Sequence, residues 1–402
     1  MKNKPATRKA DNVKISNKNI FLIVLLIIIA GSIYYLNSQK VVIVDDSPAD
    51  TVDNAELTAD EKNIPSDYIR DEQTIEKKQS QFEYAPELIG IEGYINTDNM
   101  LTIGSLKGKV VLVDFWTYTC INCIRTLPYL KAWHDKYKED GLVIVGVHTP
   151  EFEFEKKYKN VKDAVEKYEL KYPIVQDNSY STWRAYKNRF WPHKYLIDID
   201  GFIRYDHIGE GKYEETEKVI QALLKERLER LGKGELKKDM AKPTEVIDVD
   251  FGKVNTPEIY LGYGFTRGNF GNKEGLPAEQ TVDYKIPSLV KPNNVYLEGK
   301  WKINKDNAEL ASDKGRIMLG YDSKAVNIVA NSGEGSEIES FVDAKPLNES
   351  KAGADIEIIN GKSIAKINEE RLYNLVDYEY DSHLLELGIK GKGFKLYTFT
   401  FG

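Results

Sequence analysis

The middle of the chain alternates between continuous apolar runs and segments of helical periodicity. Residues 109–116 and 142–148 are apolar runs of buried-strand length, and residues 123–137 between them have the apolar spacing of a helix. Further patterns predict a helix at 154–170, a strand at 172–176, a short helix at 181–186, a hairpin of 195–199 and 202–207, and a closing helix at 214–231. Strands that alternate with crossover helices are typical of a layered α/β domain, which we place at residues 82–235.

The pattern changes after residue 243, where Gly, Asn, Asp and Pro separate short β-rich runs. These runs are 258–261, 299–303, 326–329, 356–359, 384–388 and 394–401. Short strands at regular spacing with turn residues between them are typical of a sandwich of two sheets. We therefore predict an all-β sandwich domain at residues 245–402.

The N-terminus predicts the cellular compartment. Residues 1–19 carry six basic side chains and form a cytoplasmic tail, and the apolar run 20–36 is long enough, at about 25 Å as a helix, to span a hydrocarbon core. Basic residues before the run and acidic ones after it place the rest of the chain outside the cytoplasm. A cleaved signal peptide is the alternative, with Ala30 and Ser32 near a cleavage site. Residues 37–81 are polar and acidic, and are predicted to form a flexible tether.

Composition narrows the classes of function. A net charge of −7 over 402 residues offers no basic field for nucleic acid. The two cysteines exclude both a disulfide-stapled scaffold and a cluster of thiolate metal sites. They are three positions apart, as Cys120 and Cys123.

This Cys-x-x-Cys follows a buried strand and opens a helix. Unpaired N–H groups and the positive end of the dipole at a helix N-terminus stabilise a thiolate, so Cys120 is predicted to be the attacking sulfur. Cys123, one turn further on, would resolve the mixed disulfide. Asp114, in the preceding strand, could accept the proton that Cys123 releases. Half of a zinc site is the alternative, but no second cysteine pair or suitably spaced histidines complete it, so no metal is expected.

Several ordered motifs resemble the thioredoxin superfamily and, more narrowly, the DipZ-type thiol–disulfide proteins. They are the sequences at residues 113–123, 125–129, 146–152 and 191–193. The β-rich part, at residues 257–264 and at the terminal 397–402, is similar to the C-terminal module of that family. The resemblance implies a thioredoxin-like domain followed by a jelly roll that resembles carbohydrate-binding modules.

The resemblance also implies a substrate platform and a cofactor-free reaction. Pro192 would follow a cis peptide bond, and Trp191 and Pro192 would meet the client chain, with Trp116 on the same surface. No bound cofactor is expected, because the Cys120–Cys123 disulfide is itself the electron carrier. Family members with the full arrangement carry a polytopic domain that conducts electrons. A reductase built from this chain would therefore need a separate membrane electron donor.

We therefore expect a membrane-anchored extracytoplasmic oxidoreductase that exchanges disulfides with client proteins, as a reductase in the main hypothesis. Two alternatives remain. A thiol peroxidase of the peroxiredoxin type would use Thr117, three residues before Cys120, although Val113 stands where that family has proline. A glycan-binding envelope protein with an accessory redox domain would use aromatic side chains of the β-rich part, namely Tyr260, Tyr263, Phe265, Phe270 and Trp301.

Overall fold

A computed structural model of the protein describes Tyr68, residues 70–98 and residues 101–402. The predicted cytoplasmic tail (1–19), the predicted anchor (20–36) and most of the predicted tether lie outside these residues. Within the described part of the chain, no helix is both long enough and apolar enough to cross a bilayer.

The first region is built on a six-stranded sheet with helices between its strands. The strands are β1 (Gly93–Ile95), β2 (Val110–Trp116), β3 (Leu142–His148), β4 (Ile174–Gln176), β5 (His193–Ile197) and β6 (Ile203–Ile208), and they lie in the order β1-β4-β3-β2-β5-β6. β2, β3 and β4 are mutually parallel, whereas β1, β5 and β6 pair in antiparallel fashion. The helices are α1 (Glu72–Gln79), α2 (Ile121–Tyr137), α3 (Tyr158–Lys167), α4 (Ser181–Ala185) and α5 (Tyr213–Arg230).

The two central strands explain why this part was predictable. Every residue of β2 is buried, and β3 is buried at all but one position, so both read as continuous apolar runs. α2 covers the sheet with Leu127, Leu130 and Trp133, which are at most 3% exposed. The predicted α/β layered domain is confirmed. The helix predicted at 154–170 differs, because it begins as a 3-10 turn at Glu153–Lys156 and ends at Lys167.

The predicted C-terminal boundary of the tether, at residue 81, is wrong, because residues 72–79 form the helix α1. The ammonium of Lys78 on α1 lies 2.8 Å from Asp198, 2.5 Å from Asp200 and 2.5 Å from Glu226. Ile75 is 6% exposed and packs inward on the same helix. The average composition of residues 37–81 did not predict this helix, because contacts of two buried side chains, Ile75 and Lys78, stabilise it. The charge of Lys78 is neutralised by three carboxylates.

A β-rich region follows, with all of its strands joined in one eleven-stranded sheet. The strands are β7 (Ile259–Tyr260), β8 (Thr281–Tyr284), β9 (Val295–Ile303), β10 (Ala308–Leu310), β11 (Lys314–Ser332), β12 (Ser336–Val342), β13 (Lys345–Pro346), β14 (Glu357–Ile359), β15 (Lys362–Ile367), β16 (Arg371–Lys390) and β17 (Phe394–Phe401). β11 and β16 are 19 and 20 residues long and pair along most of their length. The predicted runs 326–329 and 384–388 cover only part of β11 and β16, because over most of both strands outward polar residues alternate with buried ones.

The α/β region and the β-rich region share a core within one compact unit. Tyr260 and Tyr397 of the β-rich region are packed in the same buried cluster as the helices and strands of the first region. The ring of Tyr397 lies 5.1 Å from that of Phe152 and 4.8 Å from that of Phe154. The β-rich region is therefore fixed against the α/β region by aromatic packing.

Candidate active site

Cys120 and Cys123 stand at the junction of β2 and α2, and their environments differ. Cys120 is the N-cap residue of α2, and its Sγ accepts the backbone N–H of Cys123 at 3.2 Å. Cys120 is half-buried, whereas Cys123 is 1% exposed. Only Cys120 is therefore placed to meet a partner from solution.

The thiol of Cys123 holds its proton firmly. Burial is the main reason that its pKa lies well above the usual value, and neighbouring Cys120 and Asp114 raise it further. A thiol becomes a nucleophile only when it is deprotonated. Cys123 therefore needs a nearby base if it is to attack Cys120.

Asp114, the predicted proton relay, is a buried carboxyl whose charge influences Cys123. It lies in the middle of β2, is 2% exposed, and its Oδ1 has no hydrogen-bond partner among the described residues. Burial raises the pKa of Asp114 to about 7, and the charge of Lys194 offsets part of that effect. A carboxyl group with such a pKa exchanges its proton near neutral pH, where a general base is most effective. The structure thus brings Asp114, predicted as the proton relay, into electrostatic contact with Cys123.

Lys194 is a site residue that the sequence patterns did not reveal. It is directly opposite Asp114 in the antiparallel pairing of β2 with β5, is 0% exposed, and donates from Nζ to the carbonyl of Gly209 at 2.9 Å. Burial lowers the pKa of Lys194, while the charges of Asp114 and both cysteines oppose that shift. A lysine within an apolar strand run, two residues after Pro192, was the available signal.

The bond between the predicted platform residues Trp191 and Pro192 is cis, as predicted, and Pro192 is buried. The indole of Trp191 donates to the carbonyl of Thr149 at 3.0 Å, and its ring lies 4.3 Å from that of Trp183. Trp191 is partly exposed and lines the same cleft as Cys120. Its side chain is therefore held in place at the edge of the site.

The prediction that Trp116 meets the substrate is wrong. Trp116 is 0% exposed and packs edge-on against His148, with ring centroids 5.4 Å apart. Trp116 can point inward because Gly146 on the neighbouring strand has no side chain. A Cβ at residue 146 would lie only 3.0 Å from Nε1 of Trp116. Trp116 therefore supports the site from within the core.

Cys120 opens into a cleft of about 530 Å³ between the two regions. One wall belongs to the α/β region and contains Glu151, Arg189 and Phe190 in addition to Cys120 and Trp191. The other wall belongs to the β-rich region and is formed by Phe251, Val254, Thr256, Glu258, Tyr260, Arg267, Thr398, Thr400 and Phe401. A partner of Cys120 must enter between these walls.

The walls are joined by polar contacts near the cysteines. The guanidinium of Arg125, on α2, is 1% exposed as a side chain and pairs with Glu210 at 2.7 Å. The same group donates from Nη1 to the carbonyl of Gly402 at 3.1 Å. On the other side, the hydroxyl of Tyr260 donates to Glu151 at 2.7 Å. The hydrogen bonds from Arg125 to Gly402 and from Tyr260 to Glu151 link the α/β region to the β-rich region.

The aromatic side chains that could have stacked on sugar rings pack within the protein instead. Trp301 is 0% and Tyr260 is 5% exposed. Tyr263, Phe265 and Phe270 are partly buried and packed against the cores. None of the five forms an open platform, so glycan binding by the β-rich region stays a prediction without support from these residues.

Comparison with known proteins agrees with the two-part organisation. Residues 85–206 match the family profile described as the AhpC/TSA family. Residues 256–402 match the profile described as a thioredoxin-like C-terminal domain.

Two curated relatives extend the comparison. Over 322 residues the chain is 34% identical to the protein DipZ of Mycobacterium bovis, an alignment that covers 79% of this chain and 43% of DipZ. The chain thus spans less than half the length of this relative. Over 123 residues it is 32% identical to the thiol-disulfide oxidoreductase ResA of Bacillus cereus, which covers 31% of this chain and 68% of ResA. The chain belongs to the thioredoxin-like thiol–disulfide oxidoreductases.

Proposed function

We propose that this protein is a membrane-anchored, extracytoplasmic reductase of protein disulfides that works through Cys120 and Cys123. One observation carries the proposal. The sulfur of Cys120, which lines the cleft, accepts the N–H of Cys123 in the first turn of α2, while the side chain of Cys123 is buried. That asymmetry suits one attacking and one resolving cysteine.

The reaction would proceed in two exchanges. The thiolate of Cys120 attacks one sulfur of a client disulfide, and the other client sulfur leaves as a thiolate that takes up a proton. The Cys123 thiol then gives its proton to Asp114 and attacks the sulfur of Cys120, which releases the second client thiolate. The client gains two electrons, and the protein ends with a Cys120–Cys123 disulfide.

Lys194 would assist the second exchange. Its ammonium stands opposite Asp114, and so it favours the ionised carboxylate that must accept the proton. It also favours the thiolate of Cys123 over the thiol, since the charge of Cys123 raises the pKa of Lys194 in return. Lys194 would therefore be a positioning residue that lowers the free-energy cost of moving the proton from Cys123 to Asp114.

The cellular setting of the proposal rests on the N-terminal pattern. A basic tail followed by an apolar run of 17 residues, at 20–36, would anchor the protein with its cysteines outside the cytoplasm. The oxidised pair would then be reduced again by a separate membrane protein that carries electrons outward. Clients would be proteins of the cell envelope that hold disulfides.

Trapping of clients tests the proposal. In Cys123→Ser the first exchange can occur but the second cannot, so client proteins should accumulate on Cys120 as mixed disulfides, visible by mass spectrometry after non-reducing electrophoresis. Cys120→Ser is the matched control and should trap nothing. If Cys123→Ser captured no thiol partner either, the assigned roles of the two cysteines would be wrong.

A thiol peroxidase is the second candidate, and the match of residues 85–206 to the AhpC/TSA family favours it. Thr117, which that reaction would use, is fully buried, and its hydroxyl lies 3.3 Å from Nε2 of His148. Consumption of hydrogen peroxide at micromolar protein would distinguish the two functions. Rapid turnover would favour the peroxidase, whereas slow stoichiometric oxidation of the cysteines would favour the reductase.

A further inference from the structure

Two exposed phenylalanines line the cleft that contains Cys120, one on each wall. Phe190 is 50% exposed and belongs to the α/β wall, and Phe251 is 54% exposed and belongs to the β-rich wall. Large apolar side chains that stay exposed around a concave site mark a binding surface. No step of the proposed chemistry uses either ring.

Both phenylalanines are held in place by local hydrogen bonds. Phe251 begins a 3-10 turn whose N-cap, Asp250, accepts the N–H of Gly252 at 3.1 Å. The backbone N–H of Phe190 is donated to Oδ1 of Asn188, and its carbonyl accepts from Nδ2 of the same side chain, each at 3.3 Å. The backbone that carries each ring is thus preorganised, which reduces the entropy lost when a partner binds.

Two of the charged side chains that line the cleft offset each other. Arg267 pairs with Glu258 at 3.5 Å and lies over the ring of Tyr260, 4.6 Å from its centroid. Burial and nearby Glu155 raise the pKa of Glu151 to about 8, and its carboxyl accepts the Tyr260 hydroxyl. At neutral pH Glu258 offsets Arg267 and Glu151 is largely protonated, so the charge that remains in the cleft lining is that of Arg189. Away from Arg189 the lining favours apolar side chains.

We propose that the cleft recognises an extended segment of a client chain with apolar side chains next to the reacting cysteine, and that Phe251 and Phe190 select it. This rests on the proposed reductase function and names its substrate class. Apolar neighbours of a disulfide are mostly buried in a folded protein and accessible in an unfolded one. A cysteine that lies between two walls also needs a chain narrow enough to enter. The β-rich region would thus act as a selector for unfolded or misfolded clients.

Two peptides and one small disulfide test the proposal. Each extended peptide carries one cysteine as a disulfide with a chromogenic thiol, flanked by leucines in one peptide and by serines in the other. Hydroxyethyl disulfide carries no apolar side chain for either ring to select. The reduced wild-type protein should react with the leucine peptide about five- to tenfold faster than with the serine peptide, because partial burial of one or two apolar side chains supplies that preference.

Variants locate the source of the preference. Phe251→Ser and Phe190→Ser should each lower the leucine-to-serine rate ratio by about three- to fivefold, and Phe251→Leu should retain most of it. The matched control is Leu289→Ser, which removes an apolar side chain that is 74% exposed and lies outside the cleft, and it should leave the ratio unchanged. The leucine-to-serine ratio is taken within each variant, so a general change in the reactivity of Cys120 cancels. Leu289→Ser, outside the cleft, should also react with hydroxyethyl disulfide at the wild-type rate.

The outcomes separate this inference from the function on which it rests. Equal wild-type rates for the two peptides, or an undiminished ratio in both serine variants, would overturn the inference while hydroxyethyl disulfide is still reduced. A wild-type protein that reacts with neither peptide nor with hydroxyethyl disulfide would overturn the reductase function itself.

Discussion

Replacement of Asp114 by asparagine is expected to stabilise the protein at alkaline pH and to slow its second exchange. The folded protein holds the pKa of Asp114 at about 7, against 3.8 for the free side chain, chiefly because the carboxyl is buried. Since the folded pKa is raised, the folded state binds this proton more tightly than the unfolded state does. Stability from this group is therefore present at low pH and is lost as the pH rises from about 4 to 7.

The size of the effect follows from the shift. About three pKa units, at 1.36 kcal/mol each, make the ionised Asp114 cost about 4 kcal/mol above pH 7. Asparagine removes that cost, but it also removes the negative charge next to the buried ammonium of Lys194. The ammonium keeps its hydrogen bond to the carbonyl of Gly209. We therefore expect Asp114→Asn to gain about 2–4 kcal/mol at pH 8.5 and close to nothing at pH 4.

Urea unfolding of the reduced protein at pH 4, 6 and 8.5 measures this difference, with single-turnover reduction of a client disulfide as the second readout. The rate of release of the second client thiol should fall about 10²-fold or more in Asp114→Asn, because proton transfer to a positioned base contributes about that much. Asp163→Asn, at an exposed carboxylate on α3, is the matched control. A gain in stability that is the same at pH 4 and 8.5, or a loss at pH 8.5, would refute the account of Asp114.

Two further variants test the neighbouring contacts. Lys194→Met should raise the pKa of Asp114, because the lysine charge lowers it. The pH–rate profile of the second exchange should therefore shift to higher pH. An unchanged profile would exclude Lys194 from the proton step. Arg125→Ala should lower the free energy of unfolding by about 3–5 kcal/mol, measured with urea. The variant leaves the almost buried carboxylate of Glu210 without its partner and breaks the hydrogen bond to Gly402. A loss below about 1 kcal/mol would show that Arg125 does not join the two regions.

The parts of the fold that were predictable depend on local sequence. The strand β3 was predicted at its observed bounds, because a strand buried on both faces leaves a continuous apolar run. The position of Cys120 before a helix was predictable for the same reason, since strand, cysteine pair and helix follow one another directly in the chain.

The parts that were missed depend on contacts between distant residues. Lys194 is 80 positions from Asp114 in sequence and meets it only through the pairing of β2 with β5. The inward orientation of Trp116 depends on the missing side chain of Gly146 in the next strand. The second wall of the cleft is supplied by residues more than 120 positions beyond Cys120. No periodicity within a single segment contains such information.

We propose that Cys120 and Cys123 form a redox couple that donates electrons, and the reduction potential of this pair decides whether they do. The purified protein is equilibrated in thiol–disulfide buffers of graded potential, and the oxidised fraction is read by mass after alkylation. The account predicts an intramolecular Cys120–Cys123 disulfide with a potential of about −270 mV, as in thioredoxin. A value near −120 mV, typical of a strong disulfide donor, would contradict the reductase direction. Failure to form the disulfide at any potential would contradict the claim altogether.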